Sequence, residues 1–179
     1  PTSAPKSTKM STIVDSQIEA MAIYDGLISP FDLSQLNPAS YDVKLGSTIY
    51  VETKTCEWRK VELPWALEPG EFVLGATQEI IRLPNYIEAV FQLKSSRGRE
   101  GYEHVLSGYI DPGFSGRITL ELVNVNRYRP LPLAEGMLIG QIRFMKTDQP
   151  CRQSYKEKGH YNLDLTVQPS KVDLFGKPV

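Results

Sequence analysis

Residues 117–125 read Arg117-Ile118-Thr119-Leu120-Glu121-Leu122-Val123-Asn124-Val125. Ile118, Leu120 and Leu122 stand at every second position, the period of an extended strand with one face turned to a core. Thr119, Glu121 and Val123 occupy the opposite face. Working outward, the same alternation runs through Val43, Leu45, Ile49 and Val51, then Ile87, Ala89, Phe91 and Leu93, then Leu138, Ile142 and Phe144. Shorter strand-like pieces fall at 71–74 and 79–83. Turn signals separate them: Glu68-Pro69-Gly70, Leu83-Pro84-Asn85, Asp111-Pro112-Gly113 and Glu135-Gly136. One helix is predicted, from Ser11 to Gly26, with Val14, Ile18, Met21 and Ala22 at helical spacing, Thr12 or Asp15 as cap and Gly26 as stop. Many short strands, frequent turns and one early helix specify a mostly-β sandwich or distorted barrel.

The chain has 179 residues, enough for one domain with a sizeable core. Residues 1–10, PTSAPKSTKM, have almost nothing to bury and read as a disordered leader or expression remnant ahead of a native start at Met10. Twenty Lys and Arg against 21 Asp and Glu leave a net charge of −1. That balance excludes a basic scaffold coating nucleic-acid backbones, so no nucleic-acid partner is expected. No apolar run approaches the roughly 20 residues of a membrane helix. The N-terminus lacks the order of a signal peptide, from which a cytoplasmic protein is expected. Cys56 and Cys151 are too few for a disulfide framework or an all-cysteine zinc site. With His104 and His160 the only histidines, a metal site would draw on carboxylates as well, and no zinc is expected.

Three stretches carry side chains able to do chemistry. Lys94-Ser95-Ser96-Arg97-Gly98-Arg99-Glu100-Gly101 follows directly on the 87–93 strand. Two hydroxyls, a glycine and three cations at a strand end can ring a phosphate, helped by backbone N–H groups where a short helix starts. The same residues also make an ordinary solvated turn. In Tyr109-Ile110-Asp111-Pro112-Gly113-Phe114-Ser115-Gly116, Asp111 either accepts turn hydrogen bonds or holds a sugar hydroxyl or a water. Glu121 either meets solvent or enters a lined pocket; a carboxylate amid β-branched neighbours on a central strand suits a raised pKa and proton shuttling. Periodicity alone leaves each of these pairs of readings open.

Taken together and in this order, the stretches resemble the deoxycytidine triphosphate (dCTP) deaminase family, within the wider deoxyuridine triphosphatase (dUTPase) superfamily. The similarity runs from about Ser11 to Lys171. Gln35-Leu36-Asn37-Pro38-Ala39-Ser40-Tyr41-Asp42-Val43-Lys44-Leu45-Gly46 is similar to the family's N-terminal strand motif. KSSRGREG stands where the family has its Arg/Lys-Ser-Ser-x-x-Arg loop, and IDPGFSG, ITLELVN and GMLIGQIRF follow in family order. The resemblance implies a homotrimer with active sites between subunits. Each subunit would be a mostly-β, distorted β-barrel or jelly-roll-like dUTPase fold with a short N-terminal helix. Residues 11–179 would form this dCTP deaminase-like domain, with about 151–179 as a C-terminal lid that orders over nucleotide.

The implied reaction is zinc-independent hydrolytic deamination of dCTP to dUTP and ammonia. Glu121 is then the base that takes a proton from water attacking C4 of the cytosine, protonates N3 and helps ammonia leave. Ser95 helps hold the water, and Arg99 orients Glu121 and the reacting centre. Asp111 matches the residue that binds the 3′-hydroxyl, and the backbone around Thr119 and Leu120 lines the sugar and base. Lys94 and Ser96 match triphosphate contacts, with Arg97 and Gly98 in the same substrate-binding loop. Gln141 falls on a phosphate-side Gln, and Tyr155 on a C-terminal Tyr that reaches the phosphates. Magnesium is expected with the triphosphate, held mainly by its oxygens and by waters.

Departures from the pattern sit at the phosphate end. His160 stands where the family usually has Lys, and Asp164, a negative charge, where it has Gln, with Lys156, Lys158 and Lys171 near in sequence to compensate. Arg97 and Glu100 replace apolar residues, and Leu106-Ser107 replaces Thr-Ala beside the base. The rival reading is a bifunctional deaminase–diphosphatase that carries dCTP on to dUMP, in which Asp111 also orients a water toward the α-phosphorus. A silent nucleotide-binding regulator is the third.

Overall fold

The computed structural model describes residues 11–105, 108–167, 169–172 and 177. The expected leader, and the Leu106-Ser107 pair, lie outside the described residues. Two antiparallel sheets carry the fold. The first runs, in spatial order, Tyr109–Ile110, Ile87–Leu93, Leu138–Lys146, Ser40–Lys44 and Leu36–Asn37, with Ser11–Thr12 added beside Leu138–Lys146. The second runs Tyr102–His104, Thr119–Asn124, Phe72–Ala76, Thr48–Glu52 and Trp58–Glu62. Among the described residues neither sheet closes on itself, so the distorted barrel gives way to the sandwich alternative. Three of the four edge strands are only two or three residues long, which leaves little backbone to continue the ladder around.

Between the sheets lies the core that the alternation specifies. Tyr41, Val43, Leu45, Ile49, Ile87, Ala89, Leu120, Leu122, Ile142 and Phe144 are all sealed from solvent. Fully burying each large aliphatic or aromatic side chain among them is worth about 1.5–3 kcal/mol. Two positions depart, Leu93 at the end of its strand and Leu138 at the start of its own. Leu138 is only half-buried and Ile139 takes the core site, because the register against Ser40–Lys44 shifts between Leu138 and Gly140. Such a bulge re-aims every side chain beyond it.

The helix spans Asp15–Tyr24 and turns Ile18 and Ala22 inward. Neither Thr12 nor Asp15 caps it. Thr12 pairs with Met145 at a sheet edge, and the N-cap is Val14, whose N–H donates to the Gln17 side chain at 3.4 Å. Gly26, at φ +68°, follows the C-cap as expected.

Candidate active site

Glu121 sits in the middle of Thr119–Asn124, opposite Leu74 of the neighbouring strand. Along that strand burial alternates as the sequence predicts: Leu120 and Leu122 enter the core, while Thr119, Glu121 and Val123 are half-buried on the other face. Glu121 and Thr119 there line an open cleft of about 420 Å³ with Asp111, Tyr155, Tyr161 and Asp164. Its floor is apolar, with Trp58 and Phe72 in edge contact at 6.0 Å. The Glu121 side chain is 26% exposed and lines this cleft.

Behind Glu121 lies His104, whose Nε2 is 3.3 Å from a Glu121 oxygen. The nitrogen is buried and makes no hydrogen bond among the described residues, being off line for one to Glu121. Burial drives the imidazole pKa down to about 4 against the opposing charge of Glu103. His104 is therefore neutral at pH 7, and its ring packs 4.7 Å from that of Phe91. On another wall Asp111, an exposed residue, has its carboxyl pKa raised from the ordinary value, first by partial desolvation and then by the charge of Glu88. Glu88 in turn accepts a hydrogen bond from the Tyr109 hydroxyl at 3.0 Å.

The C-terminal segment closes one side of this cleft. Tyr155 opens the short helix Tyr155–Lys158 and packs its ring 5.7 Å from Phe114. The Ser115 carbonyl accepts from Leu163 N–H at 2.5 Å, the Arg117 N–H donates to the Asp164 carbonyl at 2.8 Å, and Val167 buries against Leu74 and Ala76. Close approach requires bare backbone beneath. A Cβ at Gly113 would lie 1.8 Å from Ser154 Oγ, and one at Gly116 would lie 2.8 Å from the Asp164 carbonyl. Asp164 is not left bare toward the cavity, since Lys171 Nζ pairs with it at 2.7 Å and also lies 5.4 Å from the Tyr161 ring centre. His160 is exposed and lines a shallower adjoining hollow with Asp111 and Tyr155.

Away from the cleft, the cationic loop forms the six-residue helix Ser95–Glu100, with Lys94 as N-cap. Its end at Gly101, φ +104°, leaves no room for a side chain: a Cβ would meet Asn126 at 3.1 Å. Ser95, Ser96, Gly98 and Arg99 are exposed. Arg97 is anchored, pairing with Glu100 at 2.6 Å and donating from Nε to the Leu138 carbonyl at 3.1 Å. Lys94 pairs with the buried Asp42, and Gln141 accepts from the Ser40 hydroxyl at 3.0 Å.

Of the residues singled out from the sequence, one protomer therefore brings Glu121, Asp111, Thr119, Tyr155 and Asp164 to one cavity, with His160 beside it. Leu120 is wholly buried and has only backbone to offer a ligand. Lys94, Ser95, Ser96, Arg97, Gly98, Arg99 and Gln141 are not among the residues lining that cavity. His104, Trp58, Tyr161 and Asp42 were not foreseen. Alternation in Ser40–Lys44 put Asp42 opposite the core-facing Tyr41 and Val43, which was the one available signal for it.

A family model described as dCTP deaminase-like matches residues 12–147. The chain belongs to the dCTP deaminase-like family. A protein of Coprothermobacter proteolyticus named "dCTP deaminase, dUMP-forming" is 37% identical over 178 residues, covering 89% of this chain and 95% of that relative. One of the same name from Mycobacterium ulcerans is 41% identical over 150 residues, covering 74% and 78%. Among solved structures, 2′-deoxycytidine 5′-triphosphate deaminase from Agrobacterium tumefaciens matches at 25% identity with a TM-score of 0.66 over 78% of this chain. The match spans half of that longer chain. A mutant dUTPase of phage phi11 of S. aureus, 13% identical with a TM-score of 0.51, shares the fold. No helix among the described residues is long and apolar enough to cross a membrane.

Proposed function

We propose that this chain deaminates dCTP and carries the product on to dUMP and pyrophosphate, the reading set second in the sequence analysis. What carries it is the pairing of two carboxylates, Glu121 and Asp111, in one cleft, in a chain whose relatives are named for dUMP formation. Deamination uses the first as its base and the second only to hold the sugar; a displacement at phosphorus also needs an acceptor for the proton of a second water. In the first step Glu121 takes a proton from water as its oxygen adds to C4, delivers a proton to N3, and assists departure of ammonia. In the second, Asp111 orients water toward the α-phosphorus, and pyrophosphate leaves. Its raised pKa makes the Asp111 carboxylate a stronger base than an ordinary aspartate.

Ser95 and Arg99 complete the deamination centre by steadying the water and the Glu121 carboxylate. Since they stand apart from the cleft of their own protomer, a neighbouring copy in a homotrimer supplies them. Lys94, Ser96 and Gln141 take the phosphates, and the C-terminal segment closes over the nucleotide. Magnesium fits as a passenger of the triphosphate: both Asp42 oxygens beside the loop are engaged, by Lys94 and Asn37, and are not offered to a cation. Bound there, it neutralises charge on the phosphate chain.

The test is product analysis from dCTP with and without magnesium. Ammonia, dUMP and pyrophosphate in equal amounts are expected. Accumulating dUTP without pyrophosphate would restore the single-step deaminase, and absence of ammonia would leave a nucleotide-binding protein without this chemistry.

A further inference from the structure

The Ser40–Lys44 strand presents Tyr41 and Val43 to the core and Ser40 and Asp42 to the other side. A strand aspartate facing away from the core ordinarily meets water. Asp42 does not: its side chain is 8% exposed. Burying a carboxylate is costly unless its oxygens are fully engaged. They are engaged here, one by the Lys94 ammonium and the other by the Asn37 amide at 2.9 Å.

The backbone under Asp42 is fixed as well. Its carbonyl accepts from the Gln35 amide at 2.7 Å, and the same amide donates to buried Glu79 at 2.8 Å. Glu79 accepts the Lys44 N–H at 3.0 Å. Across the ladder Asp42 stands opposite Gln141, and two residues back Ser40 donates to that Gln141 side chain. Two of the residues assigned to the phosphates, Lys94 and Gln141, are therefore tied to one strand by Asp42 and Ser40.

We propose that Asp42 is a positioning residue: it holds the Lys94 ammonium in the direction from which it meets the phosphate chain. Two of the three Lys94 donors remain for the nucleotide, and the side chain keeps 28% of its surface open. A lysine alone is a flexible point charge on four rotating bonds, and fixing it beforehand removes the entropy lost on binding. The inference rests on the phosphate reading of Lys94.

The experiment compares Asp42→Asn, Lys94→Met and the double variant in steady-state turnover of dCTP. Removing the anchoring charge is expected to raise KM about tenfold with kcat little changed. Binding of deoxycytidine, which lacks phosphates, should stay the same. The double variant should be no worse than Lys94→Met, since Asp42 acts through that side chain. Additive losses, an unchanged KM, or a lowered KM in Asp42→Asn would each overturn the proposal, the last because the pair would then sequester Lys94. Should Asp42→Asn not fold, Asn37→Ala frees one carboxylate oxygen and should raise KM by a smaller factor; no rise would count against it. If Lys94→Met itself leaves KM untouched, the phosphate reading falls first and takes this one with it.

Discussion

The cleft and the cationic loop are built on opposite plans. In the cleft, Glu121 and Asp164 are half-buried and Asp111 is exposed, and each has an ionisable neighbour: His104 behind Glu121, Glu88 beside Asp111, Lys171 on Asp164. In the loop, Ser95, Ser96 and Arg99 are exposed on a six-residue helix, while Lys94 and Arg97 are tied down by ion pairs. The first environment suits proton transfer to and from a pyrimidine, the second suits anions. The cleft lining holds none of the loop's cations or hydroxyls, so in the proposed trimer chemistry that needs both would bring one copy's loop to another copy's cleft.

The sharpest way to break this division is at its base. Glu121→Gln is expected to cut ammonia release by about a thousandfold or more while nucleotide binding survives, by calorimetry. Retained turnover would assign the proton transfer elsewhere. Next in size is complementation. Glu121→Gln and Arg99→Ala chains, each inactive alone, should regain about a quarter of native activity when unfolded and reassembled in equal amounts as trimers. No recovery would place both residues in the service of one protomer.

Smaller effects are expected at the closing segment. Lys171→Met leaves Asp164 unpaired beside the phosphates and should raise KM for dCTP severalfold, whereas Asp164→Gln frees the Lys171 ammonium and should lower it. Two changes of the same sign would reduce the pair to a structural tie. Smallest is a pH effect on stability. His104 binds its proton at about pH 4 folded against 6.5 unfolded, so the unfolded chain gains protons first as pH falls. Stability should therefore drop from about pH 6.5 downward and level off below about pH 4. His104→Gln should flatten the melting temperature across that window by a few degrees; an unchanged slope would mean the imidazole is solvated.

Much of the fold was legible because it depends on local periodicity. The alternation of Ile118, Leu120 and Leu122 fixed which way Glu121 points, and the Asp111-Pro112-Gly113 and Glu135-Gly136 turns marked where strands reverse. The Leu138–Gly140 bulge was not legible, since no pattern of alternation announces an inserted residue. The site was legible in its chemical types but not in its pairings. His104 reaches Glu121, and Lys94 reaches Asp42, across strands that chain order does not place together. Lys156, Lys158 and Lys171 all stand near Asp164 in sequence, and packing brings Lys171 to its carboxylate. Those are consequences of packing, which the spacing of residues along one strand does not encode.

The fastening of the C-terminal segment to the turn beneath it runs largely through peptide groups: Tyr155 to Pro112, Leu163 to Ser115, Arg117 to Asp164. Peptide groups are common to nearly every amino acid. The tail is thus free to diverge at His160 and Asp164 and still dock in the same place, provided the two bare α-carbons at Gly113 and Gly116 are kept. Side-chain identity and docking of the segment are thereby uncoupled, and the first can be retuned by evolution without loosening the second.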